Sequence, residues 1–373
     1  MKNVPVNRPS ISKEELTNIT KCIKSGWISA DGPIVNSFEK EFAKKVSRKY
    51  SVAVSSGTAA IDIAVRSLNL KKGDEIIIPA FTIISTINQI IREGLVPVLV
   101  DSNVLTWNMD VTKIKSKITK KTKAIMVVHI YGLPVEIDPV IQIAKKYKLY
   151  VIEDAAEQLG QTYKKKKIGS FGDISTFSFF ANKHITTGEG GMIVTNNLKL
   201  FEKFKILRNL SFNPQKQKFI HDEIGWNYRM TSMQASLGLA QLKKLNLFVK
   251  KKREIGKYYN DKFSRIKNFQ LPLKKTTYAT NIYWVYGILI KKNNLNGKKC
   301  ISLLKKHGIE SRPFFCPMHL QPIFKKMKLF KKQKYPIAEK LYKDGFYIPS
   351  GLGTTKKELK KVAKVICKIF SSN

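Results

Sequence analysis

The sequence is poor in acid: of its 373 residues, 68 are lysine or arginine and only 27 are aspartate or glutamate, a formal net charge of +41. So large a basic excess raises nucleic acid or an anionic membrane as a partner. It is also poor in arginine, which supplies 9 of the 68 basic residues. Nucleic-acid readers favour arginine, whose planar fork reaches guanine or phosphate through two bonds at once. The lysines sit in helix-like runs such as Lys243-Lys244, Lys250 to Arg253 and Lys356-Lys357. We therefore read them as solvated faces and expect no specific nucleic-acid partner, although the charge can still attract anionic substrates. Cysteine is scarce. Cys22, Cys300, Cys316 and Cys367 are far apart and form no CxxC pair, which argues against a disulfide framework and a cysteine zinc site. The five histidines show no HExxH spacing, and no metal is expected. No apolar run approaches the roughly 20 residues of a membrane helix, and the first residues lack the apolar core of a signal peptide. A soluble cytoplasmic protein with no membrane partner is expected. A GxxxxGK[ST] phosphate loop is missing as well, which excludes a Walker-type nucleotide site.

What is present is an α/β pattern. Apolar residues make up 43% of the chain, ample for one large domain and a smaller one. Short apolar strands are expected at Tyr50 to Ser56, Glu75 to Pro79, Val96 to Asp101, Ala124 to His129 and Leu149 to Asp154, alternating with helices such as Gly57 to Leu68 and Pro139 to Tyr147. Such alternation predicts a mostly parallel sheet covered on both faces. Ser12 and Glu15 have the spacing of a capping box at the first helix. Ser25 to Pro33 reads as a loop with a half-buried Trp27, and Tyr163 to Ile168 as a hairpin tip. One helix is expected from about Thr231 to Phe263. A C-terminal α+β unit follows, with a strand at Trp284 to Ile290, a helix around 296–307 and a last helix from Lys356 to Phe370. The division expected is 1–245 and 246–373.

Two stretches carry chemistry. In Ser175-Thr-Phe-Ser-Phe-Phe-Ala-Asn-Lys-His-Ile-Thr-Thr-Gly-Glu-Gly-Gly191, Lys183 lies between an aromatic strand and a glycine-rich turn. Phe179, Phe180 and Ile185 can desolvate its amine and lower its pKa, as a nucleophile that attacks a carbonyl requires. In Leu149-Tyr-Val-Ile-Glu-Asp-Ala-Ala-Glu-Gln158 a buried parallel strand delivers Asp154 to the carboxyl edge of the sheet, where ligands bind. A buried aspartate beside a lysine of this kind suits pyridoxal phosphate (PLP): the acid keeps the ring nitrogen protonated, and the lysine forms a Schiff base. Gly57-Thr58, at a strand-to-helix turn, offers backbone N–H groups at a positive dipole end and fits a phosphate. Ser178 is polar among aromatics and is expected to bond something specific.

Glu153-Asp-Ala-Ala, Gly172-Asp-Ile-Ser-Thr-Phe-Ser-Phe and Asn182-Lys-His-Ile-Thr-Thr-Gly-Glu-Gly-Gly resemble the nucleotide-sugar aminotransferases of the DegT/DnrJ/EryC1/StrS family across nearly the whole chain. Within it the Ser-Phe-Phe-x-Asn-Lys run, Glu157 and the Gly225-Trp-Asn-Tyr-Arg-Met loop are most similar to the perosamine-synthase branch. The resemblance implies the aspartate-aminotransferase-like fold type I, with a mostly parallel sheet of the seven-stranded type and a smaller α+β C-terminal domain. It also implies a homodimer with active sites shared across the interface. Lys183 is then the catalytic lysine and Asp154 the partner of the ring nitrogen. Gly57, Thr58, Ser178 and, from the neighbouring subunit, Asn227 are implied at the cofactor phosphate, with Phe81 stacked on the ring and Glu157 beside it. Trp27, Arg229, Arg312 and His319 are implied near the substrate; for Arg312 and His319 the residues alone leave a surface arginine and a packing histidine open. L-glutamate is the implied amino donor, and a nucleotide-linked 4-keto-6-deoxy sugar aminated at C4 the acceptor. GDP-4-keto-6-deoxymannose is favoured over the UDP- or dTDP-linked glucose analogues and over amination at C3. A family sub-branch replaces the lysine by histidine and becomes a dehydratase; here the lysine is kept and His184 is out of register.

Overall fold

A computed structural model describes residues 3–213, 215–217, 219–291 and 295–370. The chain opens with an arm that leads into α1 (Lys13–Lys24), whose capping box is formed as the spacing of Ser12 and Glu15 predicts. α2 (Pro33–Lys45) has proline at its first position, where the ring's missing N–H costs nothing. Then follow β1 (Tyr50–Val54), α3 (Gly57–Ser67), β2 (Glu75–Pro79), α4 (Ser85–Arg92), β3 (Val96–Val100), β4 (Thr122–Val128), α5 (Ile137–Tyr147) and β5 (Tyr150–Asp154). A small hairpin, β6 (Thr162–Tyr163) with β7 (Lys166–Lys167), precedes β8 (Ile174–Ser178), β9 (Gly191–Thr195) and α6 (Leu198–Arg208). The hairpin tip is Lys164 and Lys165, both at positive φ.

The central sheet has seven strands in the order β1-β9-β8-β5-β4-β2-β3. Strands β3, β2, β4, β5 and β8 run parallel, and β9 is antiparallel to both its neighbours. The inner strands are buried on both faces, as their unbroken apolar runs require. One face packs α3, α4 and α6 through Ile61, Ile87 and Phe204, and the other packs α2 and α5 through Phe38, Phe42 and Val140.

The expected single helix after Thr231 is two: α7 (Ser232–Lys243) and α8 (Leu245–Phe263). Lys244 between them sits at φ −92° and ψ 1°, off the helical ψ, and its amine turns back to Glu15, 2.8 Å away. A second sheet, in the order β10-β11-β13-β12, is antiparallel throughout. It is built from β10 (Phe269–Gln270), β11 (Tyr286–Ile290), β12 (Arg312–Pro313) and β13 (Gly345–Ile348), with α9 (Gly297–Lys306), α10 (Pro322–Lys326), α11 (Pro336–Asp344) and α12 (Lys356–Phe370) around it. Tyr259, Tyr286, Ile288, Leu304 and Ile366 form its separate core. Trp284 lies before β11 and not inside it.

Candidate active site

A cavity of about 410 Å³ opens at the carboxyl ends of β4, β5 and β8, above the N-terminus of α3. This is where a parallel sheet places ligands. Asp154 ends β5, pairs in register with Thr176 of β8 and accepts the N–H of Ala156 at 3.1 Å. Glu157 follows in the turn, and one of its oxygens accepts the Tyr131 N–H at 2.7 Å. Tyr131 takes a left-handed φ of 55°, a strained conformation for a residue with a side chain, and one found mostly at sites.

Lys183 joins these acids in the cavity wall. Its segment is held by local bonds: Lys183 N–H to Phe180 O at 2.9 Å, Thr187 N–H to Phe179 O at 3.0 Å and Phe179 N–H to Gly190 O at 2.8 Å. Burial pushes the Lys183 amine below the ordinary lysine range, and the charges of Glu157 and Asp154 oppose that shift. Burial likewise raises Asp154, against the Ala156 N–H, Lys183 and His129. It lifts Glu157 to about 8.

Behind the acids a closed polar network fixes β5. Glu153, wholly buried, accepts Gly169 N–H at 2.8 Å, Phe171 N–H at 3.1 Å and the Ser175 hydroxyl at 2.8 Å. Arg48 donates to Gly169 O at 2.7 Å, Gly172 O at 3.1 Å and Phe171 O. His129 accepts the Val135 N–H on Nδ1 at 3.0 Å. Its Nε2 therefore carries the proton toward Glu153, 3.2 Å away.

The walls fit PLP. Ser56 caps α3 by accepting the Ala59 N–H, and the first helical bond is Ala60 N–H to Ser56 O, so the Gly57 and Thr58 amides precede it and face the cavity rim. Gly57 is needed for closeness: a Cβ there would stand 2.7 Å from Ser178 Cβ and 3.1 Å from its Oγ. Gly57, Thr58 and Ser178 can thus hold an anion, with the helix dipole behind them. Thr176 Oγ1 and Asn182 Oδ1 are buried cavity-lining atoms that lack a hydrogen-bond partner. Asp154 can take a ring nitrogen and Lys183 a carbonyl.

Other expected residues lie elsewhere. Phe81 is 0% exposed and packs against Tyr131, Phe314 and Phe315, which corrects its expected stacking role. The chain leaves β2 so that Thr82 and Ile83 line the cavity and Phe81 points into the core. His319 is buried too, with Nε2 2.9 Å from Glu339 and its ring beside Tyr335; it serves packing, not the cavity. Trp27 is 53% exposed, more open than its loop reading suggested. Asn227 pairs with Asn209, and Arg229 donates to the Asn209 side chain at 2.6 Å. Trp27, Asn227 and Arg229 all lie outside this chain's cavity wall, whereas Arg312 lines it. Sequence reading missed Trp284, Phe315 and Tyr347, which close the cavity from the second sheet's side. Their apolar context gave no signal beyond strand or core.

Comparison with known proteins agrees with this geometry. The family model described as the DegT/DnrJ/EryC1/StrS aminotransferase family matches residues 9–367. The chain is 39% identical over 371 residues to GDP-perosamine synthase of Escherichia coli O157:H7, covering 100% of both chains. Among solved structures, Helicobacter pylori PseC, an aminotransferase involved in the biosynthesis of pseudoaminic acid, matches with a TM-score of 0.94 and 28% identity over 100% of each chain. The E. coli GDP-4-keto-6-deoxy-D-mannose-3-dehydratase with bound hydrated PLP matches at TM-score 0.88 and 28% identity, covering 98% of this chain and 99% of that one.

Proposed function

The chain belongs to the DegT/DnrJ/EryC1/StrS aminotransferase family and is a PLP-dependent sugar aminotransferase, and we propose that it moves an amino group from L-glutamate to C4 of GDP-4-keto-6-deoxymannose, giving GDP-perosamine. Transamination is carried by one observation: a lysine amine, Lys183, buried in the cavity beside Asp154 and Glu157. The acceptor is supported by the full-length likeness to a GDP-perosamine synthase.

PLP supplies a carbonyl that takes up the amine and a ring that withdraws electrons from the reacting carbon. Asp154 holds the proton of the ring nitrogen. Gly57, Thr58 and Ser178 bind the phosphate and fix the ring's position. Lys183 Nζ would take the proton from the donor's carbon and deliver it to the cofactor's carbonyl-derived carbon within the same half-reaction, and would run the opposite transfer, ending on the sugar's C4, in the second. Depressed by burial, its amine is available as a base nearer neutral pH than an exposed lysine would be. Arg312, at the cavity's outer wall, meets the substrate diphosphate.

In this reading the enzyme is a homodimer. Trp27, Asn227 and Arg229 serve the neighbouring subunit's site, which accounts for their place outside this cavity. Ile28 at 47% and Ile224 at 84% exposed give that face apolar area to bury. The four free cysteines fit a reducing compartment, and we place the enzyme in the cytoplasm.

The deciding experiment incubates the protein with L-glutamate and each of the GDP-, UDP- and dTDP-linked 4-keto-6-deoxy sugars, follows 2-oxoglutarate and locates the new nitrogen by NMR. Nitrogen at C4 of the GDP sugar is expected. Nitrogen at C3, or amination of the UDP or dTDP substrate alone, would refute the acceptor. The likeness to the 3-dehydratase favours a second reading, sugar dehydration, which a deoxygenated product without nitrogen would establish. Against it, His184 points away from the main cavity toward Lys252.

A further inference from the structure

The Lys183 amine lies over the face of Trp284, with Nζ 3.9 Å from the ring centroid, well inside the roughly 6 Å reach of a cation–π contact. Two contacts keep that ring from turning away, and a third fixes the main chain that carries it. Its Nε1–H donates to the carbonyl of Asn182 at 3.0 Å, the residue just before Lys183. Its own carbonyl accepts the buried Lys252 amine at 2.7 Å, and that amine also reaches Ser350 O at 2.5 Å. The ring packs beside Tyr131 at 5.9 Å between centroids, and Trp284 is 4% exposed. The indole is thus tied to the backbone that carries the lysine, and the main chain of Trp284 is held, separately, by Lys252 of α8, which also bonds the segment after β13.

We propose that Trp284 is a positioning residue for the transfer: its indole face holds the Lys183 ammonium between proton transfers. Asp154 and Glu157 face Lys183 from the end of β5 and the turn after it, with His129 near Asp154, and Arg312 and Tyr347 line the same cavity. A carboxylate bonded to the ammonium would compete for its proton. An aromatic face attracts the charge and cannot accept the proton, so the amine stays charged in a buried site without a partner that would discharge it. The sign follows from this: removing the ring removes support for the charged form, so Lys183 loses its proton at lower pH and reacts faster as a neutral amine at neutral pH. Only the catalytic consequence rests on Lys183 being the reacting amine; the titration of Lys183 does not.

The test uses the full-length protein freed of cofactor. Lys183 is labelled with a trace of an amine-acylating reagent between pH 6 and 11 and quantified by peptide mass spectrometry. W284L should move the midpoint of Lys183 labelling to lower pH and raise its rate at pH 7 by about 2- to 30-fold, the range a lost cation–π contact spans. W284F, which keeps an aromatic face and loses the Nε1–H, should return the profile to within about 2-fold of wild type. Identical profiles in W284L and wild type would overturn the proposal, as would W284F behaving like W284L. Should W284L not fold, K183M replaces it. Trp284 emission, taken as the difference from W284F, should then lose a pH-dependent step that wild type shows, and an unchanged step would overturn the proposal. The labelling outcome stands whatever the sugar assay finds.

Discussion

Replacing Gly57 by alanine tests the anion cradle by adding a single methyl group. The backbone at Gly57 needs no positive φ, so alanine is allowed by conformation and opposed only by room. Its Cβ would meet Ser178 Cβ at 2.7 Å and Ser178 Cα at 3.3 Å, where ordinary contacts begin at 3.4 Å. α3 and β8 must therefore part by about 0.7 Å (3.4 minus 2.7), enough to spoil hydrogen bonds whose useful range spans about 0.5 Å. A hydrogen bond to a charged oxygen contributes about 1.5–3 kcal/mol, so losing one should weaken PLP binding about 10- to 100-fold. Folding should suffer less, because alanine's better helix propensity, about 1 kcal/mol, offsets part of an overpacking cost of about 1–3 kcal/mol. Cofactor titration followed by tryptophan fluorescence, with thermal melts in parallel, measures both. The cause is isolated by a double-mutant cycle: G57A should cost less affinity in an S178G background, where the methyl meets no side chain. A G57A protein that binds PLP within about twofold of wild type would refute the cradle.

Glu157 is raised from 4.5 to about 8 by burial. The folded chain therefore holds an extra proton between those values, and its contribution to stability is complete below pH 4.5 and lost as pH rises toward 8; E157Q should flatten that decline in thermal melts of the cofactor-free protein. Lys252 is lowered from 10.5 to about 7 by burial, so the folded chain holds fewer protons across that window and gains stability as pH rises from 7 to 10.5. K252M should abolish the rise and, above pH 10, cost about 1–3 kcal/mol for two carbonyls left without a donor. Arg48→Met leaves Glu153 buried without its cation and should cost about 3 kcal/mol in urea melts; a loss under about 0.5 kcal/mol would show that the backbone donors alone satisfy Glu153.

Much of the fold was legible because strand and helix periods are local. Along β8 and the residue after it, Thr176 and Ser178 line the cavity and alternate with Phe177 and Phe179, whose rings pack on Phe42 of α2; a period of two written in polar and aromatic residues says as much unaided. Asp154 was legible for a similar reason, since it ends a strand that points at the carboxyl edge, and Lys183 because it stands in the turn between the aromatic end of β8 and the glycines before β9. Phe81 was misread because it lies past the end of β2, where no period governs direction and a turn of the backbone gives the cavity to Ile83. His319 was misread because its partner, Glu339, is on a different element, and spacing along the chain says nothing about that pairing. The break at Lys244 depends on a tertiary attraction to Glu15 that no helix propensity encodes.

Trp284 shows the deeper limit. It is bonded to Asn182 across 102 positions of sequence, and it stands in the cavity only because the second sheet is docked against the first. Several contacts make that docking firm. Asn7 donates to Ala181 O at 3.3 Å, Arg8 reaches Gly353 O and Glu358 at 3.0 and 2.7 Å, and Lys252 bonds Trp284 O and Ser350 O. The N-terminal arm therefore ties the segment bearing Lys183 to the second unit, while Lys252 of α8 holds the Trp284 main chain against the segment after β13. Desolvation of the amine, which lowers its proton affinity, and the indole face, which raises it, both depend on this closure. Loosening these ties would admit water and withdraw the ring together, so the amine's reactivity is set by the packing of two cores, neither of which contains it.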